Sequence, residues 1–291
     1  DRPKYFGLGT TQKVGVKDYV DTLAHNRAIQ MLVVSASTDK LFMSTMSNST
    51  VMICLFGIIF GNYAAFSSYS QITSIPIALI SILLMNKIAR QMGQKASMMA
   101  GTYGGIIGSI IITLFLVFVN PRGDASKFAI PAFRIIRPDT WGTLFTGWSA
   151  VGLIFILLVI AWRGVQALSS SIVITMTADC ADYEVYRTGK YVPGLMGTLF
   201  SFVDKLVSSL AATLVALFYS MAGFKDALPD TMTPYSDKIF WATVGCFVLL
   251  PIVGWICNVI AMKFYPLTKE KMEEIQAEIG RIKAEAAAKQ A

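Results

Sequence analysis

The sequence predicts an all-α membrane protein, and three observations carry that prediction. Apolar residues make up 54% of the chain and charged residues 15%, with a mean hydropathy of +0.57, outside the range of soluble globular domains. Apolar stretches long enough to cross a hydrocarbon core of about 30 Å recur along the chain. Lys and Arg also gather in alternate connecting segments, the bias that membrane insertion leaves behind.

The elements follow in order. Residues 1–28 form a basic lead-in, with an amphipathic piece around Tyr19, Val20, Leu23 and Arg27. Spans are expected at Ile29–Gly61, Ala64–Ile88 and Ser97–Val119. A polar connection from Asn120 to Asp139 comes next, carrying Pro121, Gly123, Pro131 and Pro138 as breakers. Three more spans are expected at Trp141–Met176, Pro193–Met221 and Ile239–Phe264, so the six-span region is residues 29–264. The tail, 265–291, reads as a surface helix with Met272, Ile275, Ile279 and Ile282 at steps of three and four. Between the fourth and fifth spans, Thr177–Gly194 reads as a short charged loop at the membrane surface.

Six spans put both ends of the chain on one side. The lead-in, the Lys87–Lys95 connection, the Arg187–Lys190 connection and the tail with Lys263 hold sixteen Lys and Arg, against six in the opposite loops. The richer side is expected to be cytoplasmic, which places both termini on the cytoplasmic face of the cell (inner) membrane. The net charge of +7 is spread over short loops and suits anionic headgroups rather than nucleic acid. The polar start Asp1-Arg2-Pro3-Lys4 has no apolar signal run, and the absence of an initiator Met suggests a piece of something larger.

Three bases lie within spans: Lys40, Arg163 and Lys205, with Asp39 and Asp204 beside two of them. Such charges are costly in hydrocarbon and face a bundle interior or a watery cavity. Ser37, Lys40, Ser44 and Ser47 form a polar stripe on the first span, and Thr198, Ser201, Lys205 and Ser208 form another on the fifth. Lys205 lies twelve residues past Pro193, about 18 Å deep and near the midplane. Its expected partner within this chain is Asp39. Single hydroxyls in spans also bond their own helix, and charged pairs also hold helices together, so each residue carries a structural reading beside the functional one. Arg163 either snorkels, pairs structurally or serves the site. Gly104 and Gly108 form a GxxxG, whose ordinary meaning is close helix packing. Asp179 and Asp182 hint at a divalent metal, but with Arg187 and Lys190 nearby and no third ligand, a charge network or gate fits better.

The four cysteines show no CxxC spacing and there is one histidine, His25, so metal and disulfide readings are weak. There is no HExxH, GxSxG or Walker-type GxxxxGK, and an enzyme is not expected.

The run Ala178-Asp179-x-x-Asp182-Tyr183-x-x-Tyr186, then Thr188-Gly189-x-x-x-Pro193-Gly194, with Lys205 beyond it, resembles the C-terminal half of the glycoside-pentoside-hexuronide:cation symporters. These are the melibiose-permease-like branch of the major facilitator superfamily. The Asn86–Lys95 segment is similar to that fold's basic loop between the second and third spans of each half. The resemblance implies one six-helix half-bundle with a cytoplasmic C-terminal amphipathic helix, working with an N-terminal six-span half, covalent or separate. It implies symport of a sugar, glycoside or oligosaccharide with Na⁺ or H⁺ by alternating access, and no cofactor beyond that ion. Lys205 would lie by the sugar and cation sites with Ser201 one turn before it. Asp204, Thr198, Asp39, Lys40 and Ser44 complete the expected binding set, and Asp179, Asp182 and Arg187 the gate. Where melibiose permease stacks a tryptophan on its sugar, this chain has Ser170, so the substrate is held differently. The family's main cation carboxylates belong to the other half. The alternative is a six-span channel or pore-forming subunit, which also needs polar stripes but would show a repeated pore motif or charged rings.

Overall fold

A computed structural model describes residues 16–124, 126–130, 147–188 and 193–290. A short helix, α1 (Val16–His25), leads into α2 (Arg27–Met46), which is capped by the Asn26 side chain accepting from Ile29 N at 3.1 Å. The expected first span is not one straight helix. It breaks at Ser47 and Asn48 and resumes as α3 (Ser49–Met52) and a π-helical stretch, π1 (Ile53–Ile59), bent by 49° from α2. The break has a local cause. The Ser47 hydroxyl donates back to Met43 O at 2.9 Å, and the Asn48 side chain accepts from Thr50 N at 3.0 Å, so side chains replace ladder hydrogen bonds.

Two long helices follow, α4 (Tyr63–Met92) and α5 (Gln94–Val119), joined by a one-residue turn at Gly93. With φ +89° and a Cβ position 3.0 Å from that of Lys269, this site takes only glycine comfortably. The fourth span's first residues, 141–146, lie outside the described residues. Its helix, α6, runs Ala150–Thr188, 39 residues. The expected surface loop is therefore corrected: Thr177–Thr188 is the last three turns of α6, and only Gly189–Val192 fall outside the described residues. Charge marked where the chain leaves the lipid rather than where the helix ends. Glu184 and Arg187 pair at 3.0 Å across one turn, and no Gly or Pro intervenes before Gly189.

Helix α7 (Pro193–Met221) is followed by α8 (Asp237–Val244), a second π-helical stretch π2 (Gly245–Leu249) and α9 (Leu250–Phe264), then α10 (Lys269–Gln290). Among the described residues five helices are long and apolar enough to cross a membrane, six when the bent pair counts as one span. The architecture is an all-helical six-span half-bundle of the kind the sequence predicts.

Packing divides the bundle into two apolar clusters. One centres on Phe56, Phe60, Phe66, Phe128 and Phe155, with ring centroids 4.3–5.8 Å apart. The other joins Ala28, Ile29, Met98, Cys180 and Tyr265 to Ile275 and Ile279 of the tail. The glycines of α5 pack as expected. A Cβ on Gly101 would lie 2.6 Å from Ser169 N, and those on Gly104 and Gly108 would run into Val165 and Trp162. Trp162 Nε1 donates to Gly105 O at 3.0 Å through the gap. Between α2, α9 and α5, Asn258 accepts from Ser35 at 2.5 Å and donates to Thr102 at 2.8 Å, a buried polar clasp.

The start of α2, the Gly93 turn, the end of α6 and the tail meet at one end of the bundle. Asn26 Nδ2 donates to the buried Glu184 at 2.8 Å, and Lys95 Nζ donates to Tyr265 O at 2.8 Å. At the other end Gly123 N donates to Ile59 O at 2.8 Å.

Candidate functional site

Between α2, α4 and α6 lies a cavity of about 390 Å³, lined by Lys40, Ser44, Ser47, Ser74, Arg163 and Gln166 among apolar neighbours. It sits at the helix break, where α2 ends and its polar stripe with it. Lys40 Nζ is 3.7 Å from Asp204 on α7, both side chains half-exposed, so one ion pair ties α2 to α7 beside the cavity. Against the same pair is a small niche lined by Val33, Ser37, Phe200 and Val203.

Arg163 reaches from α6 to α4, its Nη1 donating to the Ser70 hydroxyl at 2.6 Å, while its Nε is buried without a partner. Gln166, three residues on and 2% exposed, has neither amide atom hydrogen-bonded among the described residues. Buried polar groups are nearly always bonded, so these unmet atoms set Arg163 and Gln166 apart from the apolar residues around them.

The expected residues divide into three groups. Lys40, Ser44 and Asp204 come together at or beside the cavity. Ser201, Thr198 and Lys205 stand exposed on α7, Thr198 bonding Gly194 O at 2.8 Å, and Lys205 has no ion pair or hydrogen bond among the described residues. Asp39 points the other way. It is 6% exposed and its carboxylate accepts from Trp255 Nε1 of α9 at 2.9 Å. The expected Lys205–Asp39 contact is therefore not made: consecutive side chains on a helix diverge by about 100°, so Lys40 takes the α7 side and Asp39 the α9 side.

Asp179, Asp182 and Arg187 belong to the far end of α6, about 24 Å beyond the cavity counting from Gln166 to Asp182. Each has a different neighbour there. Asp182 accepts from Gln276 of the tail at 2.6 Å, Arg187 pairs with Glu184, and Asp179 lines a pocket of about 290 Å³ with Gln94, Lys269 and Glu273. Among the described residues no group of three His, Cys, Asp or Glu side chains could hold a metal.

Sequence reasoning left out Gln166 and Ser74 at the cavity, Ser70 behind Arg163, and Asn26 and Glu184 at the far end. The signal for the first set was present: Arg163 and Gln166 sit at i,i+3 in an apolar span, and Ser70 and Ser74 at i,i+4 in another. Their convergence was not, because it depends on how α4 and α6 pack.

The sequence has counterparts among known proteins. The chain is 28% identical over 163 residues to the "Glucuronide carrier protein homolog" of Escherichia coli (strain K12), covering 54% of this chain and 33% of that protein. It is 22% identical over 193 residues to the "Isoprimeverose transporter" of Lactiplantibacillus pentosus, covering 66% and 33%. The aligned part thus spans about a third of each relative's length. The family described as MFS/sugar transport protein matches residues 7–269, and the chain belongs to that family, one of membrane transport proteins rather than enzymes.

Proposed function

We propose that this chain is the C-terminal half of a secondary active transporter that moves a sugar or glycoside together with Na⁺ or H⁺ by alternating access. The observation that supports this best is the cavity at the break in α2. A space of about 390 Å³ lined by Lys40, Arg163, Gln166 and three hydroxyls suits a polar solute with many hydroxyls. The names of two relatives, a glucuronide carrier homologue and an isoprimeverose transporter, support the same substrate class.

The polar faces of α2, α6 and α7 need a protein cover, since lipid offers them no hydrogen bonds. An N-terminal six-span half provides that cover and the main cation carboxylates. Lys205, exposed on α7 and without an ion pair among the described residues, is then free to meet a carboxylate or the substrate from the opposite bundle. The protein sits in the cell's inner membrane with both ends of this chain in the cytoplasm, in line with the basic asymmetry.

The test is counterflow of a labelled sugar in liposomes carrying the full-length transporter. Lys205→Met should abolish cation-dependent uptake while the protein still folds, because the change removes an expensive charge. Lys205→Arg should restore little, since the guanidinium aims its donors differently. Unchanged cation dependence in Lys205→Met would remove Lys205 from the site, and sugar-independent ion leak would favour a channel.

A further inference from the structure

The tail helix α10 lies against the part of α6 that has left the lipid, with one acid caught between them. A cleft of about 290 Å³ opens there between α6, the Gly93 turn and α10. Asp179 lines it from α6, half-buried, with Gln94 of the turn beside it. Lys269, Glu273 and Gln276 line it from the tail. Neighbouring contacts hold the tail in place: Gln276 donates to Asp182 at 2.6 Å, Tyr186 donates to Glu274 at 2.8 Å, and Ile275 and Ile279 are buried.

The cations of the surrounding elements are engaged elsewhere. Lys269 Nζ donates to Gln91 O at 3.2 Å and Lys95 Nζ to Tyr265 O at 2.8 Å. Arg187 pairs with Glu184 at 3.0 Å, Lys271 with Glu274 at 2.7 Å, and Arg27 of α2 lies over the Phe264 ring. Arg90, at the end of α4, is exposed and makes no ion pair among the described residues. The nearby acids, Asp182 one turn on and Glu273 across the cleft, oppose a charge on Asp179. Burial and the Asp182 carboxylate push the Asp179 carboxyl up to about 7, against the pull of a hydrogen bond from Gln94. The one histidine of the chain, His25, pairs with Asp21 on α1 at 3.0 Å and does not line the cleft.

Releasing the tail opens Asp179 to water and lets its carboxyl return toward the ordinary carboxylate range. The docked state therefore holds the proton more tightly than the released one. By linkage, docking is strongest in acid and is lost as pH rises toward about 7; above that both states are ionised and nothing further is lost. We propose that α10 is a proton-tightened brace: protonated Asp179 lets the tail close on the end of α6 and the Gly93 turn, and ionised Asp179 loosens it. Acidification on this side of the membrane, the cytoplasm on the reading above, then stiffens the projecting arm of α6. The brace stands apart from the choice of substrate and coupling ion.

The test reads docking directly, as the distance between nitroxide labels at Met92→Cys and Ala277→Cys, both exposed positions. It uses the full-length transporter in liposomes, with Cys257 and any other accessible cysteine replaced by Ser. The ratio of docked to released tail should fall roughly threefold or more between pH 5.5 and pH 8. Asp179→Asn keeps the shape of the protonated side chain and should hold the tail docked across that range. Asp182→Asn should move the transition to lower pH, because it removes one of the causes that raise Asp179 while its amide oxygen can still accept from Gln276. A distance in the parent that does not change with pH would overturn the proposal. So would the same pH profile in the parent and in Asp179→Asn, which would assign the titration to another group. Either result leaves the transporter reading standing, since counterflow decides that separately.

Discussion

Asn26 carries two jobs with one side chain. Its carbonyl oxygen caps α2 and its amide nitrogen donates to Glu184, whose carboxylate is 3% exposed and also holds Arg187. Asn26→Ala should therefore cost about 2–3 kcal/mol, the sum of a lost cap and a lost hydrogen bond to a buried carboxylate that Arg187 still pairs, read as a lower unfolding midpoint of the purified protein. Trp255→Phe should cost less, about 1–2 kcal/mol, because Asp39 loses the Trp255 donor while Lys40 stays adjacent. Measured stability equal to that of the parent would show that water satisfies Asp39 instead. Neither contact was legible in the sequence. Asn26 and Glu184 stand 158 residues apart, and Asp39 and Trp255 stand 216 apart. An isolated acid in an apolar run announces that it needs a partner, never which one. The intramembrane bases were legible for the complementary reason: their cost does not depend on context.

At the scale of elements, the tail and α5 make the sharpest claims. Helix α10 buries Ile275 and Ile279, and Tyr186 of α6 donates to Glu274 at 2.8 Å with Lys271 over its ring at 4.9 Å. Ile275→Asp should detach the helix, exposing the Tyr265–Lys269 connection to limited proteolysis without unfolding the bundle; an unchanged digestion pattern would show that the polar contacts alone hold it. On α5, Gly104→Val should fail to fold, since its Cβ would occupy the place of Val165. The smaller Gly101→Ala should cost about 1–3 kcal/mol as α5 and α6 are pushed apart. Helix existence and the small-residue face were plain in the sequence, because hydropathy and glycine spacing report them directly. The two π-helical stretches were not, since Ile53–Ile59 and Gly245–Leu249 have the same apolar composition as the α-helix on either side. The end of α6 was misplaced because polarity and helix termination are separate properties that coincide only when the helix stops at the lipid.

For the molecule as a whole, the sequence predicts orientation from charge, and the bundle adds that the lead-in helix, the Gly93 turn and the tail share one end. A cysteine placed at Ser126 should react with an impermeant maleimide from outside intact cells, and one at Gln91 only after permeabilisation. The reverse pattern would invert the topology. Both positions are exposed, and three of the four native cysteines are buried, which keeps the background low.

Helix α6 also has a mechanical consequence. Its 39 residues make a rod about 58 Å long, of which a hydrocarbon core of about 30 Å encloses roughly half. Gln166, beside the cavity, lies some 33 Å from the tip at Thr188, so tilting the rod by ten degrees about that point would swing the tip by about 6 Å. The tail grips the same arm through Asp182 and Tyr186. Small rotations deep in the lipid would thus arrive amplified at the aqueous face, where a fluorophore near Tyr186 and another on the Gly93 turn could record each stroke as a change in separation.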